Sequence, residues 1–139
     1  METKEWLKRY GPMYRETAAL MKRLKVLEES GCIVDPAEPE EIEARCKKNL
    51  DEMAAIRAAI SMLDDPLECE VLRLRYTDSP DAIRTKWKDI AMEIYGRGDE
   101  GGIKNTERLH NRAIKHLEQR LAEQNKASHP AGKLACNHL

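Results

Sequence analysis

The stretch Asn105-Thr-Glu-Arg-Leu-His-Asn-Arg-Ala-Ile-Lys-His-Leu117 concentrates side chains that could do chemistry on a nucleic acid. Drawn as a helix, it places Lys104, Arg108, Asn111, Arg112 and Lys115 on one side. Ammonium, guanidinium and carboxamide groups are the types that meet phosphate oxygens and base edges in a major groove. Thr106, Leu109, Ala113 and Leu117 recur at steps of three and four on the opposite side, which gives the helix a face to bury.

No other chemistry competes with this one. The acidic pairs Glu40-Glu41 and Asp64-Asp65 fall at predicted helix starts, where negative charge complements the dipole. His110 and His116 are six residues apart and do not share a helix face. His129, Cys136 and His138 lack a fourth ligand and a rigid frame, so no metal site is expected. Gly96 to Gly102 lacks the Lys-Ser/Thr that follows a phosphate-binding loop, and no nucleophile lies beside a base. The chain is therefore expected to be no enzyme and to carry no cofactor.

Composition sets the class. Among 139 residues 35 % are charged, only 4 % aromatic, and none is Phe. With apolar positions at helical spacing, this predicts an all-α protein of long solvated helices. The net charge is −1, so any attraction to nucleic acid must come from a local patch. Between Lys104 and Lys126 basic residues outnumber Glu about two to one, whereas the first 60 residues are nearly balanced. Cys32, Cys46, Cys69 and Cys136 include no C-x-x-C pair, which favours a reduced compartment. No signal peptide and no apolar run of about 20 residues is visible, so a cytosolic protein that does not cross a membrane is expected.

The elements that must position the basic face begin at Trp6. Trp6, Tyr10, Met13, Thr17, Leu20, Leu24 and Leu27 alternate steps of four and three, with Leu7, Tyr14 and Met21 widening the stripe. This is a heptad seam, with a kink or restart expected at Pro12. Gly31 is a natural left-handed cap. Asp35, Pro36 and Glu38 predict a capped second helix carrying Ile42, Cys46, Asn49, Met53, Ile56, Ile60 and Leu63. Joined by a short loop, the two form an antiparallel coiled-coil hairpin over 1–63, with Asn49 as a polar residue able to fix register. Asp65-Pro66-Leu67-Glu68 repeats the cap signature and starts a helix ending near Tyr76. Thr77 to Asp81 is turn chemistry. A helix capped by Thr85 runs from about Lys86 to Tyr95, turning Trp87, Ile90, Ala91 and Ile94 inward. Gly96 to Gly102 holds four of the chain's seven glycines and predicts a long mobile turn. The last helix ends near Glu123 or Gln124, and 124–139 is expected to be a disordered tail.

Glu70-Val-Leu-Arg-Leu-Arg-Tyr76, Trp87-Lys-Asp-Ile-Ala91 and Arg108-Leu-His-Asn-Arg-Ala-Ile-Lys-His-Leu117 resemble region 4 of sigma-70 family factors. Over roughly residues 4 to 120 the chain is similar to the small sigma-region-4-like proteins of phages and prophages, in which a two-helix coiled coil precedes such a domain. Late-gene activators of the RinA and ArpU type are neighbours of this group. The resemblance implies a helix-turn-helix in 64–123, with Lys86 to Tyr95 crossing the backbone and Asn105 to Leu121 as recognition helix, its N-terminal residues nearest the bases. By the same resemblance Asn105, Glu107, Arg108, Asn111 and Arg112 face the groove, and Arg84, Lys86, Lys88, Lys104 and Lys115 serve phosphates. Thr106, at a recognition-helix position that relatives give to Val or another small apolar residue, is counted with the DNA-contacting residues as well as with the inner face. Nothing resembles the sigma region that melts promoter DNA, so a complete sigma factor is not expected.

The expectation is thus a phage-type DNA-binding transcriptional regulator in the bacterial cytosol and on the nucleoid. Double-stranded DNA is its partner, with bacterial RNA polymerase and a second copy bound through the coiled coil as further candidates. A protein-interaction adaptor working through its coiled coil, and a DNA-packaging recognition subunit, remain as alternatives.

Overall fold

A computed structural model describes residues 2–31, 35–78 and 85–138, with side chains as far as position 125. The turn residues 79–81 and Arg84, expected at a phosphate, lie outside the described residues. The protein is all-α, in the order α1 (Thr3–Lys8), α2 (Tyr10–Ser30), α3 (Ala37–Ser61), α4 (Pro66–Leu72), a π-helical turn (Arg73–Thr77), α5 (Trp87–Tyr95) and α6 (Glu100–His138). No strand occurs among the described residues.

Two compact units form, Met1–Ala58 with Arg73–Thr85, and Ala59–Leu72 with Lys86–Leu139. The sequence places its boundary after Leu63 and keeps 64–123 together, whereas the units interleave. The π turn explains why Arg73–Thr77 groups with the first unit. The Asp78 N–H reaches back to the Arg73 carbonyl at 2.8 Å, the turn packs against α2, and Tyr76 is buried.

In the first unit the chain restarts at Tyr10, just before Pro12. Proline then falls in the first turn of α2, where backbone N–H groups have no intrahelical acceptor and the missing donor costs nothing. Gly31 closes α2 with φ 64°, as its position predicts. Asp35 caps α3 through Oδ1, which accepts the Ala37 N–H at 3.0 Å. Glu38 instead takes the Arg23 guanidinium at 2.9 Å.

Cross-links fix the register. Arg9 meets Glu52, Arg45 meets Glu16, and Arg23 meets Glu38, so rising numbers on α2 pair with falling numbers on α3 and the helices run antiparallel. Leu27, Ile42 and Cys46 are buried between them, with Leu20 and Leu24 packed alongside. Asn49 is buried in the seam, and its Nδ2 donates to Glu16 Oε1 at 2.7 Å and to Thr17 Oγ1 at 3.2 Å. A pair of this kind forms only in one register. Asn49→Ala leaves the buried Thr17 hydroxyl short of a donor and is expected to cost about 1–3 kcal/mol. Urea unfolding of the two chains measures the difference.

The second unit gathers α4, α5 and α6. Asp65 caps α4, accepting the Leu67 N–H at 2.9 Å, with Pro66 in the first helical position. The helix α6 packs on both α4 and α5. Val71, Leu72, Ile90, Ala91, Leu109, Ala113 and Leu117 are buried, so the face predicted from Leu109, Ala113 and Leu117 is indeed the inner one. Where the sequence indicates a disordered tail, helical backbone continues to His138. Ala127, Ala131, Lys133, Leu134 and Ala135 are good helix formers without any apolar stripe.

Candidate nucleic-acid interface

The basic face depends on how α5 hands over to α6. Lys86, and not Thr85, is the N-cap of α5; the Thr85 carbonyl is taken by Arg75 Nη1 at 2.6 Å. Gly96 ends α5 in the left-handed region at φ 68°, its N–H returning to the Met92 carbonyl. The expected long turn is short. Only Gly96 to Asp99 separate the helices, because α6 already begins at Glu100.

Asp99 starts it. Its Oδ1 accepts the Gly102 N–H at 2.9 Å and its carbonyl accepts the Ile103 N–H at 3.0 Å. Gly101 and Gly102 are consequently helical. At Gly102 a Cβ would stand 2.2 Å from the Arg97 carbonyl oxygen, so glycine is needed there for close approach and not for a positive φ. Propensity against glycine loses to this packing.

The Arg97 guanidinium beside Asp99, and then the Gly102 N–H, hold the Asp99 carboxyl below its ordinary value of 3.8. A carboxyl with a lower pKa folded than unfolded stabilises the fold fully above the unfolded value and loses that contribution as pH falls through the folded one. Asp99→Asn can still cap. It is expected to lower the melting temperature at pH 7 and to match the parent more closely at pH 3, in parallel thermal melts.

The inner edge of α6 meets α5 through the rings of Trp87 and His110, edge to face at 4.8 Å and 75°. His110 is buried against Trp87. Thr106 is buried as well, and its hydroxyl donates to the Gly102 carbonyl at 2.8 Å. It supports the helix from inside and cannot be a contact residue, which corrects that expectation.

On the outer side Lys104, Arg108, Asn111 and Lys115 stand exposed in one row at steps of four, three and four. At 1.5 Å per residue the row is about 16 Å long, comparable with the roughly 12 Å width of a major groove. Among the described residues Arg108 and Lys115 form no ion pair, and Lys104 has only an exposed one to Glu100 at 3.3 Å. Such a pair holds little and yields easily to a phosphate. Asn105 and Glu107 flank the row, exposed on either side. Lys86 and Lys88 are exposed at the start of α5.

Two placements differ from expectation. The first turn of α6 is acidic and glycine-rich, so α6 starts before the expected Asn105 and the basic row begins in its second turn. Arg112 is also drawn off the row: its Nε donates to Glu68 Oε2 at 2.9 Å and its Nη2 lies 3.4 Å from Asp65 Oδ2, both belonging to the α4 region. His116, one turn on, points its Nδ1 at both Glu68 oxygens, 2.7 and 2.9 Å away. A carboxylate only accepts, so Nδ1 carries the proton. The sequence hides Glu68 because it completes a cap signature at Asp65 and its partners lie 44 and 48 residues ahead.

Among the described residues no cluster of three or more His, Cys, Asp or Glu could hold a metal ion. None of the helices searched is long and apolar enough to cross a membrane. Compared with protein-family models, with curated proteins and with solved structures, the chain matches none.

Proposed function

We propose that this chain is a sequence-specific DNA-binding protein, a transcriptional regulator of phage or prophage type, with α5 and α6 acting as a helix-turn-helix. The observation that carries the reading is the exposed row Lys104, Arg108, Asn111 and Lys115 on a helix joined to α5 by a turn of only four residues. Three or four residues is the ordinary length for this motif, and it lets the second helix project from a firmly packed first one. A row of two ammonium groups, one guanidinium and one carboxamide combines phosphate contacts with groups able to read G and A edges. The likeness to sigma region 4 supports a role near promoters and a contact with bacterial RNA polymerase as part of the same proposal.

Selection from a random duplex library at roughly 150 mM salt tests it, because non-specific binding is weak at that salt and base contacts then decide what is retained. Enrichment of one motif is expected. Arg108→Ala should weaken binding to that motif by about 1–3 kcal/mol while sparing random DNA. Lys115→Ala should weaken both alike and lower the salt slope by about 0.9. Equal losses on all sequences for both variants would remove the claim of specificity.

A second reading rests on the first unit. Tyr14, Met21 and Leu50 are 41 %, 53 % and 42 % exposed on the α2–α3 pair, a surface an adaptor or a second copy could use. Partner capture by the full chain with no retention of any duplex would select it.

A further inference from the structure

Resting on the DNA-binding reading, we infer that Glu68 is a positioning residue for the contact face: it ties Arg112 and His116 to α4 and so keeps both out of the groove-facing row. Glu68 is 2 % exposed, yet its carboxylate holds Arg112 Nε and His116 Nδ1, whose side chains are about half exposed. The partners come out to the carboxylate from the edge of α6, and Asp65 takes the second arm of the guanidinium. For Arg112 to swing toward a phosphate, a buried carboxylate would lose its charge-assisted donor. An exposed phosphate contact returns less than that loss.

The surroundings act in the same direction. The α4 edge of α6 borders a cleft of about 410 Å³ whose lining includes Asp64, Asp65, Glu68 and Glu123. Arg112 and Arg120 line it too, but the carboxylates outnumber the guanidinium groups, which disfavours a phosphate backbone there, and Arg120 is already engaged with Asp64 at 2.8 Å. The contact face therefore has an acidic border on this side, and Arg112, a cation by composition, is held by carboxylates of the α4 region. Specificity is left to Arg108 and Asn111.

Salt dependence separates this from a merely structural role, since the slope counts phosphates neutralised and is indifferent to small changes in stability. The full-length chain, Arg112→Ala and Glu68→Gln are titrated with a duplex carrying the selected motif from about 50 to 300 mM salt, and each is put through the same library selection. Arg112→Ala is expected to keep the motif and the slope of the parent. Glu68→Gln, which weakens the hold on Arg112, is expected to steepen the slope by about 0.9, the value for one added phosphate. A shallower slope or an altered motif in Arg112→Ala overturns the inference alone, as does an unchanged slope in a folded Glu68→Gln. Should Glu68→Gln lose its helical circular dichroism, Arg112→Ala decides by itself. Absence of any duplex binding by the parent chain removes the DNA-binding reading and this inference with it.

Discussion

Alanine at position 102 is expected to destabilise the second unit by about 3 kcal/mol, while alanine at the adjacent position 101 is expected to stabilise it by about 0.5–1 kcal/mol. Both glycines lie in the first turn of α6, and helix propensity favours alanine at each. The surroundings differ. A Cβ on Gly102 meets the Arg97 carbonyl oxygen at 2.2 Å, and that oxygen belongs to the backbone of the four-residue turn, which cannot step aside without moving α5 relative to α6. A Cβ on Gly101 meets the end of the Arg97 side chain at 3.3 Å, which is flexible and exposed. Urea unfolding monitored by circular dichroism gives both numbers. Equal stabilisation by the two alanines would mean that the first turn of α6 does not approach Arg97, and the short turn would have to be abandoned.

What the sequence disclosed was local or periodic. The seam from Tyr10 to Leu27, the Gly31 cap, and the Asp35 and Asp65 caps each depend on residues within one or two turns, and each has the expected conformation or partner. The start of α6 was also written locally, with Asp99 three residues before Gly102, but four glycines in seven positions argue against a helix on propensity. Only tertiary packing at Arg97 reverses that sum. The same holds for the division of the chain, since nothing periodic in Arg73 to Thr77 signals a π turn that packs with α2.

The contact face was legible in part for the same reason. Lys104, Arg108, Asn111 and Lys115 follow helical spacing and stand exposed as expected. Thr106 satisfied two patterns at once, and burial decided for the inner one. Arg112 shares the composition of the row but not its surroundings, because the carboxylates that hold it come from Asp65 and Glu68, more than forty residues earlier. Charge pattern along one helix carries no information about a partner on another.

Removing the row altogether is expected to have the largest functional effect: Lys104, Arg108 and Lys115 exchanged together for alanine should lower affinity for the selected duplex by about two to three orders of magnitude, with the salt slope falling by about 2. The argument turns on net charge. At −1 the chain has no overall field to attract a polyanion, so affinity must be local, and Lys104, Arg108 and Lys115 are the cations that share one exposed row on α6. Lys22, Lys25 and Lys47 of the first unit provide the comparison, being equally exposed and equal in number. Their joint replacement by alanine changes net charge identically and is expected to leave both the selected motif and the salt slope as they were. If the two triple variants lose affinity to the same extent, binding follows total charge and not the α6 row, and the case for a recognition helix fails.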